Sequence, residues 1–155
     1  MHNFLAIASL AIPFAAATLG PRSTQAQTTG IVNLYELRHT SRPLLVFAPK
    51  PDDPQLEIQL RRFTQNAAML AERDVIVIAI PFENPSPTDA TLSPEDATQA
   101  RRRFNIAPTD FTVILIGKDG SEKLRDTKPF TIAKLRDTID AMPMRQQEMR
   151  RPSGP

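Results

Sequence analysis

The residues best placed to do chemistry in this sequence lie together in one turn. Lys50, Asp52 and Asp53 follow the apolar run Leu44-Leu45-Val46-Phe47. A lysine beside two carboxylates could carry out acid–base chemistry. The carboxylates could instead bind a cation, because hard cations take several carboxylate oxygens. A structural explanation competes with both, since Asp53-Pro54 has the residue types of a helix N-cap and first helical position.

The absence of cysteine limits the possible chemistry more firmly than this turn does. The 155 residues include no cysteine, which excludes disulfides, thiolate catalysis, iron–sulfur clusters and cysteine-ligated zinc in this chain. His39 is the only histidine after the first 26 residues, and one histidine makes neither a metal site nor a catalytic pair. We therefore predict no cofactor, no metal ligand set and no catalytic residue.

An acid–base enzyme that uses Lys50, Asp52 and Asp53 remains an alternative to a binding role. The positive end of a helix stabilises ionised carboxylates, which opposes their use as general acids. We therefore rank binding above catalysis, with cation binding as a further alternative.

Composition and charge indicate one ordinary globular domain. About two-fifths of the residues are apolar and the formal net charge is +2, so the charge balance does not predict a nucleic-acid partner. The run Arg101-Arg102-Arg103 fits the C-terminal end of a helix, where cations are favoured. No aromatic residues are interleaved with these arginines to indicate nucleic-acid binding.

The first 26 residues have the features of a signal peptide. Residues 1–17 are mostly apolar, and small residues precede Gln27. This pattern predicts cleavage after residue 26, although His2 stands where a lysine or arginine is usual. The alternative is a retained membrane anchor, which the short apolar run and Pro13 disfavour. We expect a periplasmic or secreted chain with no stable membrane span after cleavage.

The rest of the chain predicts a β-α-β-α-β-β-α order in one domain. A lead-in covers residues 27–41, the domain covers 42–149, and 150–155 form a disordered tail. Apolar runs predict the strands, and apolar stripes at helical spacing predict the helices. The predicted strands are 44–47, 75–80, 111–116 and 122–124, and the predicted helices run from 54 to near 73, from 94 to about 104, and from 132 to 142.

Strand direction gathers several charged residues at one edge of the predicted sheet. The first two strands are expected to run parallel and the third antiparallel, so the ends of the first two meet the start of the third. Lys50, Asp52, Asp53 and Asp110 are the binding residues predicted there. Glu83 and Asp89 would lie at the same edge, with Arg103 nearby.

A second candidate surface lies near the C-terminus. Met144, Arg145 and Met149 could form an adaptable partner surface, because methionine repacks easily and arginine is favoured at interfaces. The alternative is a cap that packs on the domain. The expected partner is an envelope or extracellular protein.

The predicted element order, with a hairpin before the last helix, resembles the thioredoxin fold. That resemblance implies a three-layer α/β sandwich with a four-stranded mixed sheet. The thioredoxin Cys-x-x-Cys position corresponds to about Pro49 to Asp53, and the cis-proline position corresponds to Thr112. Neither functional marker of thioredoxins is therefore present.

Four stretches are also similar to one bacterial family, the domain of unknown function 4174. They are Arg42–Pro49, Arg73–Ile78, Phe111–Leu124 and Ile139–Met149. This family is a prokaryotic relative of the DUDES domain of vertebrate sushi-repeat and other matrix proteins. The similarity covers about residues 34–149 and implies a thioredoxin-like fold and an exported location, but no established reaction. We therefore predict a non-catalytic binding or interaction module.

Overall fold

The computed structural model describes residues 30–31, 33–83 and 90–150. The predicted signal segment, Asp89 and residues 151–155 lie outside these ranges. The strands are β1 (Gly30–Ile31), β2 (Arg42–Ala48), β3 (Val75–Pro81), β4 (Ala90–Thr91), β5 (Thr112–Ile116) and β6 (Glu122–Asp126). The helices are α1 (Pro54–Thr64), α2 (Ala67–Glu72), α3 (Pro94–Phe104), α4 (Ile132–Asp140) and α5 (Pro143–Arg150).

Strand β2 is a central strand of a four-stranded mixed sheet in the order β3-β2-β5-β6. It pairs in parallel with β3 and antiparallel with β5, as predicted, and β5 pairs antiparallel with β6. All seven residues of β2 are buried, which explains why its sequence is apolar throughout after Arg42. The strand begins at Arg42, so Pro43 lies inside it and does not flank it.

The two faces of β2 lie in separate hydrophobic clusters, which makes the domain a three-layer sandwich. Leu44 and Val46 pack in one cluster with side chains from α1 and α4. Leu45 and Phe47 pack in the other with side chains from α3. The three-layer α/β architecture predicted from the sequence is therefore confirmed.

The single helix predicted from residue 54 to near 73 is wrong, because the chain breaks between α1 and α2. The Asn66 side chain donates to the carbonyl of Arg62 at 2.8 Å, and the Thr64 hydroxyl donates to the carbonyl of Leu60 at 3.0 Å. Such side-chain bonds compete with the helical backbone ladder. The apolar stripe continues across the break, since Phe63 and Leu70 are both buried in the same cluster, and for that reason periodicity did not reveal it.

The C-terminal region also departs from expectation. Helix α4 ends at Asp140, and Pro143 begins a further helix, α5, in a part of the domain where no helix was predicted. Proline suits the first position of a helix, because a backbone N–H at that position has no intrahelical hydrogen-bond acceptor and its absence costs nothing. Pro143 therefore marks the boundary between two helices.

The lead-in and the predicted hairpin form as short, irregular features. Residues 30–31 pair with 90–91 in a two-stranded parallel sheet, and Leu34 and Leu37 pack against the cluster on the α3 side. Gly120 has φ of 81° in the turn between β5 and β6, a conformation in which glycine has no steric cost. Among the helices of the described residues, none is long and apolar enough to cross a membrane.

Candidate functional site

The turn after β2 uses its charged residues mainly to build the fold. The Asp53 carboxylate accepts hydrogen bonds from the amides of Gln55 at 2.9 Å and Leu56 at 3.2 Å, so it caps α1 as its sequence position predicts. The Lys50 ammonium lies 3.5 Å from the Asp52 carboxylate, and both side chains are at least half exposed. An exposed pair of this kind binds weakly and is accessible to bulk water on all sides.

The side chains of the other residues predicted at this edge form no hydrogen bond with that turn among the described residues, although the Glu83 amide donates to the carbonyl of Pro49 at 3.1 Å. Asp110 accepts a long 3.4 Å bond from the Ala107 amide, and Glu83 is exposed. Within the described ranges, neither carboxylate forms an ion pair with Lys50, and no group of three or more histidine and carboxylate side chains is arranged to hold a metal ion.

Arg103 is not near this edge, which corrects the sequence prediction. Its guanidinium donates to the carbonyl of Gly120 at 3.2 Å, in the hairpin at the opposite end of β5. The residue that reaches the edge is Arg101. Successive residues of a helix are rotated by about 100° around its axis, so Arg101 and Arg103 project in nearly opposite directions from α3.

Arg101 is buried against the ends of β2 and β3. Its guanidinium donates to the carbonyls of Ala48 at 2.7 Å, Ile80 at 2.8 Å and Ala107 at 3.1 Å. It lies 5.5 Å from the ring centroids of both Phe47 and Phe82. The arginine thus joins two strand ends and the segment before β5, and the sequence interpretation of a solvated helix end is wrong for it.

The charge of Arg101 has no carboxylate in direct contact among the described residues. Burial lowers the pKa of its guanidinium, whereas the negative charge of Asp110 raises that pKa from beyond ion-pair distance. Carbonyl oxygens satisfy hydrogen bonds but carry no net charge, so the guanidinium leaves a positive field at this edge.

A cavity of about 550 Å³ opens beside Arg101, and we call it the Arg101 cavity. Its volume lies within the usual range for small-molecule sites. Most of the lining is apolar, and the polar contributions are two arginines, one threonine and one asparagine. The lining residues are Pro81, Phe82, Leu92, Pro94, Ala97, Thr98, Arg101, Arg102, Asn105, Ile106 and Pro108.

Sequence reasoning missed this cavity because its aromatic and cationic residues are far apart in the chain. Phe82 directly follows β3, and Arg101 lies on α3. The only sequence signal available was the arginine triplet, which was dismissed for lack of interleaved aromatics. The fold brings Phe82 to Arg101 from outside the triplet.

In the second predicted surface, Arg145 faces the domain and not the solvent. Its guanidinium donates to the Glu72 carboxylate at 2.8 Å and to the Glu72 carbonyl at 3.1 Å, and the residue is only 7% exposed. Met144 and Met149 remain largely exposed. The alternative of a packed C-terminal cap therefore describes Arg145, and an exposed surface is left only for the methionines.

Helix α5 is attached to the domain by an ion-pair network that we call the α5 network. The Glu148 carboxylate contacts Arg42 at 3.0 Å and Lys118 at 2.7 Å. Asp140 receives two 2.9 Å bonds from Arg73. Four cations and four carboxylates take part: Arg42, Arg73, Lys118 and Arg145 with Glu72, Asp74, Asp140 and Glu148.

These contacts favour the ionised forms of Asp140 and Glu148 in the α5 network. A hydrogen bond from Arg73 lowers the pKa of Asp140. Burial alone would raise the pKa of Glu148, but hydrogen bonds from Lys118 and Arg42 outweigh it and lower that pKa. The network is thus charge-balanced, and it gives the Arg145 and Glu148 positions of the C-terminal stretch a structural role.

The sequence profile of the domain of unknown function DUF4174 matches residues 33–148. This chain belongs to the DUF4174 family. The match extends from the lead-in to α5, so the DUF4174 domain includes both the Arg101 cavity and the α5 network. The family resemblance stated from the sequence is thereby confirmed.

One curated relative is Coiled-coil domain-containing protein 80 of Danio rerio, which is 29% identical over 133 residues. The match covers 75% of the DUF4174 chain but only 15% of that protein. The DUF4174 chain therefore corresponds to a small part of this longer relative.

Solved structures of peroxiredoxins share the fold. A 2-Cys peroxiredoxin of Plasmodium vivax has a TM-score of 0.57 at 15% identity, with 76% of this chain and 85% of that chain covered. The peroxidoxin BcpB of Mycobacterium tuberculosis has a TM-score of 0.56 at 20% identity, with 75% and 89% covered. At these identities the likeness shows the fold alone, and the DUF4174 chain has no cysteine with which to perform thiol chemistry.

Proposed function

We propose that this DUF4174 chain is an exported, non-catalytic binding module whose ligand site is the Arg101 cavity. Three features support the proposal: a thioredoxin-like fold, a chain without thiols, and a cavity at the edge where β2 and β3 end. Open α/β sheets favour ligand binding at that edge.

The observation that carries the proposal is the lining of the Arg101 cavity. Its described residues include no carboxylate, histidine, lysine or cysteine. Arginine stays protonated in proteins and cannot act as a general base at ordinary pH. The cavity therefore has groups that hold and orient a ligand but none that would move a proton.

The acid–base alternative is weaker than the binding role. Asp53 is engaged in capping α1, and Lys50 and Asp52 form an exposed pair. Catalytic acids and bases are usually held where water is excluded and their pKa values can be tuned. If a reaction is nevertheless detected, loss of its pH–rate profile in Asp52→Asn would revive the alternative.

A thermal-shift screen tests the binding role directly. The panel contains divalent cations, phosphate, polyanions, cell-wall sugars and aliphatic carboxylates, applied to the full chain and to Thr98→Phe, which places a ring at the exposed rim of the cavity. A ligand at about 100 times its Kd adds roughly 2.7 kcal/mol of stability. We expect a shift in wild type that Thr98→Phe abolishes.

The matched control for this screen is Gln99→Phe. Gln99 is exposed on the same helix and does not line the cavity, so this variant should bind as wild type does. If no compound shifts wild type and no partner is recovered by affinity capture from the envelope fraction, the binding-module proposal is wrong.

Export is a separate part of the proposal and has its own test. Mass spectrometry of the protein recovered from the periplasm or medium should show a chain that begins at Gln27. A chain that retains residues 1–26 in the membrane fraction would replace the secreted module with an anchored one.

A protein partner is a second proposal, for the surface of Met144 and Met149. Both side chains are exposed, and a cavity of about 310 Å³ lies beside Met142, Pro143 and Met144. Large exposed apolar side chains are favoured at partner surfaces. Met144→Asp with Met149→Asp should abolish capture of an envelope partner, and unchanged capture would reject this surface.

A further inference from the structure

We propose that the Arg101 cavity takes a carboxylate attached to an apolar tail or ring, with the carboxylate at Arg102 beside Arg101 and the apolar part against Phe82, Leu92 and Ile106. This inference rests on the proposed binding function and names the ligand class of the same site. It follows from two cations beside an apolar cavity, without a carboxylate partner in the part of the chain that the structure describes.

The charges beside the Arg101 cavity are not balanced. Arg101 and Arg102 contribute two positive charges, and no carboxylate of the described residues lies within 4 Å of either guanidinium. The C-terminal end of α3 contributes about half a negative charge, and Asp110 acts on Arg101 from a distance. These terms leave the region positive, so an anionic ligand would improve its charge balance.

Arg101 and Arg102 contribute to the cavity in different ways. Arg101 uses its guanidinium to hold three carbonyls, which fixes its position. Arg102 is exposed and lines the same cavity, and no hydrogen bond from its side chain is found among the described residues. Arg102 is therefore the donor that can approach a ligand carboxylate, and Arg101 adds its fixed charge behind it.

The rest of the cavity wall near the arginines is mostly apolar. Phe82 is 56% exposed although it stacks on Arg101, and Leu92 and Ile106 form further walls of the cavity. A ligand with an apolar body would cover the Phe82 ring and gain about 25 cal/mol for each Å² of apolar area removed from water.

Phosphate groups fit the same surroundings poorly. They are strongly hydrated, and the two arginines alone would not distinguish them from carboxylates, because arginine binds both. The apolar walls make the difference, since they would gain nothing from a small inorganic ion. The geometry therefore favours an amphiphilic monoanion over inorganic phosphate.

Two sources can supply this chemistry, a free aliphatic carboxylate and the C-terminus of a peptide that ends in an apolar residue. Isothermal titration of the full chain would compare octanoate with an acetylated tripeptide that ends in leucine as the free acid. Each probe is paired with its neutral amide, and acetate serves as the carboxylate without an apolar body. The tighter acid identifies the source.

We expect the charge and the apolar part each to contribute to affinity. Loss of the charged partner should weaken binding about tenfold in the amide of the tighter probe. Acetate should bind more than about a hundredfold more weakly than octanoate, since each buried methylene contributes about 0.8 kcal/mol.

Matched variants locate the site without disturbing Arg101, whose removal would also disturb the strand ends. Arg102→Gln should weaken octanoate binding about tenfold, whereas Arg103→Gln, at the adjacent position but directed to Gly120, should change it less than about twofold. Thr98→Phe should abolish binding and Gln99→Phe should not. Asp110→Asn should strengthen binding about threefold, because it removes a competing negative charge.

Two results would overturn the inference: equal affinity for octanoate and octanamide, or equal affinity in wild type and Arg102→Gln. If both acids fail but another compound from the screen binds wild type and not Thr98→Phe, the binding module stands and the carboxylate assignment falls. If no compound binds and no partner is captured, the proposed function itself falls.

Discussion

The α5 network and the Arg101 cavity both contain buried arginines, but Arg42 in the network and Arg101 at the cavity are neutralised differently. Arg42 is 1% exposed and contacts the Glu148 carboxylate, in a network with equal numbers of cations and carboxylates. Arg101 is 8% exposed, and among the described residues its guanidinium donates hydrogen bonds only to carbonyl oxygens. The charge of Arg42 is therefore neutralised by carboxylates within the fold, whereas the charge of Arg101 is not.

This difference separates a structural role from a binding role. A buried ion costs several kcal/mol unless an opposite charge and hydrogen bonds offset it. In the α5 network the carboxylates of the chain itself provide that opposite charge, and the network attaches helix α5 to the domain. At the Arg101 cavity the protein offsets the cost of the buried charge only in part. An anionic ligand in the cavity could supply the missing negative charge.

The largest expected effect is in the α5 network. Glu148→Gln keeps the side-chain shape but removes one of the two carboxylates that Arg42 and Lys118 share, and it leaves Asp74 as the other. We therefore expect a loss of about 2 kcal/mol in the free energy of unfolding. Urea denaturation measures it. Glu57→Gln removes an exposed partner of Arg61 and should cost less than about 0.5 kcal/mol; equal losses in the two variants would refute a structural network.

A smaller loss is expected for Arg101→Met. The variant leaves the Ile80 and Ala107 carbonyls without this donor but also removes a poorly compensated buried charge, so we expect a loss of about 1.5 kcal/mol. The same denaturation experiment checks it, with Arg102→Gln as the exposed control. A loss larger than that of Glu148→Gln would reverse the contrast between the two regions.

The α5 network should contribute to the pH dependence of stability, together with Asp119, Glu122 and Asp126 outside it, whose pKa values are also lowered. The pKa of Asp140 in the folded chain lies below its ordinary value of 3.8, and that of Glu148 lies below 4.5. Unfolding then takes up protons, so this contribution is complete above about pH 4.5 and is lost as pH falls through the lowered values. Asp140→Asn should flatten the fall in melting temperature between pH 5 and pH 2; an unchanged profile would count against the assignment.

The smallest effect is expected at the turn after β2. Asp52→Asn removes only an exposed pair with Lys50, so stability should change by less than about 0.5 kcal/mol and octanoate affinity by less than about twofold. Calorimetric melting and titration measure the two. A large change in affinity would move the binding site from the Arg101 cavity to the turn.

The sequence by itself was sufficient for the layered architecture and the sheet. The run Leu44-Leu45-Val46-Phe47 has no polar alternation because both of its faces are covered, and β-branched residues 75–78 have the same origin. Local signals also placed the starts of α1, α3 and α4 correctly, since the Asp53, Ser93 and Thr131 side chains cap these helices through bonds to backbone amides only two or three residues away.

Features that depend on contacts distant in the chain were decided only by the tertiary structure. The roles of Arg101 and Arg145 follow from partners 53 and 73 residues away, and no local pattern distinguishes an arginine that will be buried from one that will be solvated. The sequence therefore determined the strands of the four-stranded sheet and the starts of α1, α3 and α4, because that information lies in periodicity and capping. The tertiary structure decided which charges are cancelled and where a cavity remains, because both depend on groups that meet only after the layers pack.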